Sequence, residues 1–548
     1  MKILTFVVAV LLSVFSTCVM SYVSMAIPIG PWIAPTLALL AITIFMIFYR
    51  YKNNISQEIA LATVAGSVGG ILATALGFYF TTLYFLDETV FNAWMASPKS
   101  FIFVVAGLSV TAGMFGMWVA NMFEHKFIVK DRLSFPIGEL VHKTVSAYKQ
   151  TRKSIELLVG FLLNTVFCFF RDGLGKFSGM ITSSVTLLPK MTFSIFTIPA
   201  IRLDFWPMLW ALGFVTGHVV AVPLTVGVIS KVLLARPLYT LAFSDLSWME
   251  YIITFCSGMV LSTAIFGLVK TPKSLLKSAK ELFSRGFSRK ESKTQDTKQS
   301  FFKKINILET SILLVIFVGF LTYFKFSILS QIYLFIFAFI CTYQIAVIAG
   351  KIGLAPMGKF ATFVMVPAIF LFPMQDAQLK NIQIVLIAAF IGICGGVAAD
   401  ILFGRKIAHL SNISISKVKF YQYVGLIVSS ICAGAVFWFL IDHFQLGSDQ
   451  LFAIRAQNRW MLINTLKNAT TFNYYVLLLG AIFGFILSKA KVSPLLVLGG
   501  LFMPVNITLG LVIGGVGALF VENKQEMYPF WSGVYAAGSI WMLVRAVF

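Results

Sequence analysis

Charge is scarce in this sequence. Asp, Glu, Lys and Arg together make up 12% of its 548 residues, and only 21 residues are acidic. A chain so poor in charge does not solvate itself as a water-soluble globule of this length. Cysteine is also sparse, and its six copies (Cys18, Cys168, Cys256, Cys341, Cys394, Cys432) lie singly inside apolar runs, with no CxxC pair. That spacing excludes a disulfide framework and a zinc site, and leaves the thiols as small packing residues. The period-2 alternation of an outer-membrane barrel is missing. So are HExxH, GxSxG and a Walker A loop. Gly173-Leu174-Gly175-Lys176-Phe177-Ser178 has neither the phosphate-loop spacing nor Ser or Thr after its lysine. Glu139-x-x-His142 has the spacing of a carboxylate-bridged metal site, but such sites need a second copy and further glutamates, which the sequence does not supply. The sequence therefore reads as no enzyme, with no metal site, no cofactor and no ATP-driven step.

Apolar length dominates instead. Hydrophobic residues are 59% of the chain and mean hydropathy is +0.89. A spanning helix needs roughly 20 apolar residues, and only helices satisfy their own backbone over such lengths in lipid. The expected fold is an all-α polytopic membrane protein. About sixteen crossings are predicted, at 3–25, 31–49, 58–85, 101–122, 155–170, 177–200, 205–235, 249–270, 307–325, 328–350, 360–373, 382–403, 421–441, 472–488, 493–520 and 530–547. The runs 205–235 and 493–520 are long and interrupted by proline, so re-entrant hairpins are the alternative there.

The net charge of +22 is concentrated where a cytoplasmic face wants it. Eleven basic residues against three acids fall between Lys270 and Lys304. With no apolar face, this stretch reads as a linker over 271–306 between two membrane halves, 1–270 and 307–548, of eight crossings each. It suits contact with lipid headgroups and argues against nucleic acid as a partner. With Arg50, Lys52, Lys126–Lys153, Arg405–Lys419, Lys489 and Lys491 inside, both termini are cytoplasmic. The first apolar run is longer than a signal core and reads as a retained helix. The short loops suit a bacterial inner membrane.

Glycine and proline break the apolar runs at five places. These are Pro28 to Pro35, Pro136 with Gly138, Gly217-His218 to Pro223, Gly350 to Lys359 around Gly353 and Pro356, and Gly499 to Asn506 around Pro504. A break frees backbone groups that must face protein or a cavity, and exposes helix ends that attract ions. Costly side chains gather near the breaks. Lys351 and Lys359 flank Pro356, either to hold a substrate carboxylate or to snorkel to the cytoplasmic interface. Glu139 and His142, at i and i+3, share one face of a helix beginning at Pro136, and Asp400 ends a small-residue stretch from Gly395. Those three are candidates for proton coupling, with His218 in an apolar setting as a pathway candidate. The plainer alternative pairs Asp400 with Arg405 and satisfies His218 from a neighbouring helix.

Several of these segments, in order, resemble the oligopeptide transporter (OPT) family, which includes the yellow stripe-like metal-chelate carriers. Asn53-Asn54-x-x-Gln57 followed by Ala65 to Gly70 looks like that family's Asn-Asn-x-x-Gln helix. Leu133 to Glu139 resembles its Pro-x-Gly segment, and Val347 to Gly358 occupies the place of its Gly/Pro break. Asp400 to Arg405 is similar to its Asp-Leu-Lys-x-Gly-Tyr element, with Arg405 in place of the tyrosine. Ser493 to Pro504 is similar to its penultimate Pro-rich segment. The resemblance implies a sixteen-helix secondary carrier importing small oligopeptides, peptide derivatives or metal chelates, usually with protons. Pro136, Gly138, His218, Lys351, Gly353, Pro356, Pro504 and Asn506 would line its path, and Glu139, His142 and Asp400 would couple it. The alternative reading is a membrane-embedded lipid-headgroup flippase or transferase. It rests on the basic loop 442–470, which carries Arg455, Arg459 and Lys467.

Overall fold

A computed structural model describes residues 2–547 except 27–31, 49–54, 148–150, 175–176, 190, 193–196, 199, 253, 257, 260–261, 263–295, 372–375, 449–450, 452, 454, 458, 461–462, 464–472, 491, 493, 503–504, 523 and 525. The described residues are mainly helical. Among the described residues seven helical stretches are long and apolar enough to cross a membrane, and shorter apolar helices accompany them. The fold is that of an all-α polytopic membrane protein.

The first half comprises α1 (Lys2–Ala26), α2 (Ala34–Phe48), α3 (Ser56–Tyr79), the short α4 (Thr82–Leu86) and α5 (Glu88–Met95), α6 (Pro98–His125), α7 (Pro136–Ala147), α8 (Thr151–Asp172), α9 (Pro207–Thr216), α10 (His218–Ser230) and α11 (Arg236–Ala242). The second comprises α12 (Asp296–Tyr323), α13 (Ile328–Ile352), α14 (Met357–Leu371), α15 (Ala377–Leu410), α16 (Ile415–Phe444), α17 (Tyr474–Lys489), α18 (Pro494–Phe502), α19 (Val505–Gly517) and α20 (Tyr528–Val547). Since α12 begins at Asp296, the end of the expected linker is the start of that helix.

Two helices are the axis of the molecule. Every residue of α3 from Ile59 to Tyr79 is buried, as is nearly all of α15. A helix apolar all round belongs inside other helices, since lipid and protein are equally apolar neighbours. What draws these two inward is their small residues. Gly66, Gly69 and Gly70 let α3 meet α1 and the residue before α2, and Gly392, Gly396 and Gly404 let α15 meet α3 and α14. By contrast α8 exposes Ile155, Leu158, Leu162 and Val166, a stripe at helical spacing suited to lipid.

Three expected spans differ. The described residues of 177–200 form no helix and contain antiparallel ribbon, with Ser184 opposite Asp204 and Val185 opposite Leu203. The reason is local. Ser, Thr, Val and Ile dominate here, which favours strand, and Pro189 and Pro199 would each cost a helix about 3 kcal/mol. The runs 205–235 and 493–520 are each two helices about a break. Gly217, at φ +65°, separates α9 from α10, a conformation that suits glycine. The broken pairs pack on each other. Gly213 lies against Leu511, Gly514 against Trp210, and Gly227 against Val497 and Gly500. The expected crossing at 249–270 and the break at Pro28 fall largely outside the described residues.

Candidate functional site

The site begins from the break between α13 and α14. Gly353 closes α13 in the left-handed conformation, φ +71°, its N–H donating to Ala349; this is the usual C-terminal role of glycine. Pro356 cannot continue the ladder, and α14 starts afresh at Met357. The corner before α7 docks on the same place. Phe135 N–H donates to Gly350 O at 2.8 Å and Ser134 Oγ to the same carbonyl at 3.2 Å. Phe135 holds φ +48° ahead of Pro136, an arrangement that costs about 1–3 kcal/mol and persists only where surroundings impose it. The breaks at Pro136 and Pro356 therefore meet.

From this junction α15 carries a column of groups on one face. Gly392, Gly396, Asp400, Phe403 and Lys406 follow at helical spacing. Gly392 lies against the Tyr79 ring, and Gly396 against Met357 and Ile71. Asp400, 1% exposed, accepts a hydrogen bond from Ser67 Oγ at 2.7 Å. Gly138 of α7 lies against the Phe403 backbone and Lys406. Lys406 Nζ donates to Leu133 O at 3.1 Å and stands 3.9 Å from Glu139. His142 Nδ1 meets Ser411 Oγ at 2.9 Å, just beyond the end of α15. From Gly392 to Lys406 the column runs about 21 Å at 1.5 Å per residue.

The electrostatics of the α7 end follow from burial. Partial burial pushes the Glu139 carboxyl up from its ordinary value, against the pull of Lys406 and Lys143. Burial, helped by Lys143, pushes His142 down. Both shifts disfavour charge.

Asp400 does not pair with Arg405. Five residues along a helix turn the side chain through about 140°, to the opposite face. There Arg405, fully buried, donates to Gln422 Oε1 (2.6 Å), Glu124 Oε2 (2.7 Å) and Asn121 Oδ1 (3.2 Å). Asn121 passes a hydrogen bond to Glu309, which also accepts from Tyr423. This network ties α6, α12, α15 and α16. Sequence reasoning missed Glu124 and Glu309; the signal was an acid at the end of each apolar run and an arginine among small residues.

At the other end of the column lies a group of cations. The Arg459 guanidinium stacks 4.2 Å from the centroid of Tyr79 and donates to Phe78 O at 2.7 Å. Arg455, which is exposed, lies 5.0 Å from the Phe78 ring centroid. Lys359 lies within electrostatic range of Arg455 and Lys231. Gly392, beside Tyr79, falls near the midpoint of the 34-residue α15. Lys359 thus stands near the cations gathered beside Tyr79. Arg455 and Arg459 of the basic loop meet the end of α3; Lys467 lies outside the described residues.

The remaining sequence candidates fall elsewhere. Lys351 sits in the last turn of α13, within range of Asp131. Asn506 belongs to the bundle of α9, α10, α18 and α19, where its side-chain amide donates to Asp204. His218 opens α10 after Gly217. Pro504 is outside the described residues. Among the described residues no group of three or more His, Cys, Asp or Glu stands close enough to hold a metal ion.

A family model described as OPT oligopeptide transporter protein matches residues 3–547 of the chain. No curated protein matches it.

Proposed function

Because the chain belongs to the OPT oligopeptide transporter family, we propose that it is a proton-coupled secondary carrier. Its substrates are small oligopeptides, peptide derivatives or metal chelates, taken up across a bacterial inner membrane, with both termini cytoplasmic. The observation that carries this reading is the column along α15. It connects a cation group at mid-height, through buried Asp400, to Glu139 and His142 on the broken α7.

A carrier of this kind needs a solute site near the midplane at broken helices, and a group whose protonation changes with the side it faces. Pro136, Gly138, Lys351, Gly353 and Pro356 supply the broken helices, where α7 meets α13 and α14 toward one end of the column. Asn506 and His218 belong to the second pair of broken helices, and Pro504 adjoins Asn506 in sequence. Asp400, Glu139 and His142 fill the second requirement. A proton on Asp400 removes a buried negative charge while leaving an oxygen to accept from Ser67. A proton on Glu139 weakens its attraction to Lys406, which holds the α7 corner through Leu133 O.

The test is uptake by purified protein in sealed proteoliposomes, with and without an inward proton gradient, against pooled small peptides and ferric chelates. Gradient-stimulated accumulation of one pool supports the reading. Accumulation independent of the gradient removes the proton, and no accumulation of either pool removes these substrates.

A further inference from the structure

We propose that Phe135 is the gate at the α7 end of the column. Its ring closes the column between Asp400 and Lys406, and the corner 131–135 is the part that moves. The proposal rests on the carrier reading above and adds to it the element that must open.

Three observations converge. First, Phe135 lies across the column. Its side chain is fully buried and meets the Phe403 ring edge to face at 5.9 Å between centroids. The Trp32 indole meets the same ring edge to face at 4.8 Å. Phe403 stands between Asp400 and Lys406 on α15. The three rings therefore put an apolar layer between the buried carboxylate and the end of the column, and such a constriction bars polar solutes and water. Second, the corner is strained. Arg132 holds φ +47° and Phe135 φ +48°, and neither is a glycine. Conformations of this kind cost free energy, persist only where surroundings impose them, and gather at switch segments. Immediately before the corner, α6 ends in a π turn, Lys126–Lys130, a rare geometry that recurs at functional sites. Third, a few breakable contacts hold the corner. Phe135 N–H and Ser134 Oγ both donate to Gly350 O, and Lys406 Nζ donates to Leu133 O. The Leu133 and Phe135 side chains also close on Gly350, where a methyl group would stand 2.8 Å from Leu133 Cδ1 and 3.0 Å from Phe135 Cζ. On the outer side of the corner Asp131 and Arg132 are exposed, so nothing of the core is unpacked there when it leaves.

The corner has one structural duty, since Gly350 O belongs to the last turn of α13, where a helix leaves carbonyls unpaired. That duty accounts for the two bonds to Gly350. It accounts neither for an aromatic residue in a conformation that suits glycine or asparagine, nor for the placing of its ring on Phe403. When the corner swings away, Phe135 leaves the left-handed region as its ring leaves Phe403. Relief of strain then offsets part of the lost packing, and α15 itself need not be remodelled.

The test reads access and needs no substrate. Ser67→Cys puts a thiol beside Asp400, beyond the ring layer, and Arg132→Cys puts one on the exposed corner. A membrane-impermeant methanethiosulfonate reagent is added to sealed membrane vesicles at the face where Arg132→Cys reacts, and the reaction of the parent's own thiols is subtracted. Ser67→Cys is expected to react slowly from that face. Adding Phe135→Ala is expected to speed it at least about tenfold, the shift in open population that loss of the ring produces. Phe135→Leu, which keeps a buried apolar side chain, restores part of the slow rate. Arg132→Gly relieves the closed corner of strain and is expected to slow the reaction below that of Ser67→Cys alone; this exposed position keeps the test open should Phe135→Ala impair folding. An unchanged rate in Phe135→Ala, or acceleration by Arg132→Gly, overturns the gate. Uptake of pooled peptides and ferric chelates by the same proteins in proteoliposomes judges the carrier reading separately. Gated access without uptake of either pool upholds the gate and removes those solutes.

Discussion

The Asp400 carboxylate accepts from Ser67 Oγ at 2.7 Å, joining two deeply buried helices, while Arg405 five residues on faces the other way toward Glu124. One face of α15 thus carries a carboxylate toward the proposed path, and the opposite face carries an ion pair into the scaffold. The two acids have different neighbours and should respond differently to replacement.

Asp400→Asn keeps the bond to Ser67 and removes the ionisable group. Accumulation driven by a proton gradient is expected to fall at least about tenfold, while exchange of labelled for unlabelled substrate at equal pH persists. Ser67→Ala is expected to give a milder loss. Undiminished gradient-driven uptake in both Asp400→Asn and Glu139→Gln would remove these residues from coupling.

Glu139 and His142 should shape stability against pH with opposite signs. The Glu139 carboxyl titrates above its ordinary value, so its contribution is fully present below the unfolded value and is lost as pH rises through the folded one. His142 titrates below its ordinary value. Its contribution is present above the unfolded value and is lost as pH falls through the folded one. Melting temperatures in detergent across pH 4 to 8 should show Glu139→Gln gaining on the parent toward the alkaline end. His142→Gln should gain on it toward the acid end. Identical pH profiles for parent and variants would refute the assignment.

Removing one partner of the Arg405–Glu124 pair leaves a fully buried guanidinium short of its anion. Glu124→Gln should cost about 3–5 kcal/mol of stability, whereas replacing both residues with methionine should restore much of it. Thermal unfolding of the three proteins decides this. A Glu124→Gln change under about 1 kcal/mol would show that the remaining acceptors, Gln422 and Asn121, suffice.

Two glycines of the site should behave in contrary ways. Gly358→Ala places its methyl at ordinary contact distance in a helical turn, and is expected to hold or raise the melting temperature. Gly392→Ala drives its methyl into the Tyr79 ring and should destabilise by about 1–3 kcal/mol. Equal melting temperatures for the two variants would contradict the packing described here.

The family, the membrane fold and most helix positions were legible in the sequence because lipid imposes a one-dimensional rule. Roughly 20 apolar residues in succession must become a helix, and glycine and proline mark where one stops. That rule placed the breaks at Gly353 and Pro356 and the shared face of Glu139 and His142. It misjudged 177–200, where hydropathy alone hid strand-forming residues between prolines. It also misjudged the pairing of Asp400 with Arg405, which proximity in sequence suggests and helical rotation forbids. Which polar groups meet was decided only by tertiary structure. Arg459 reaches Tyr79 from 380 positions away, and Glu124 reaches Arg405 from 281. Such contacts depend on which helices the small residues allow to approach, and no local pattern records that.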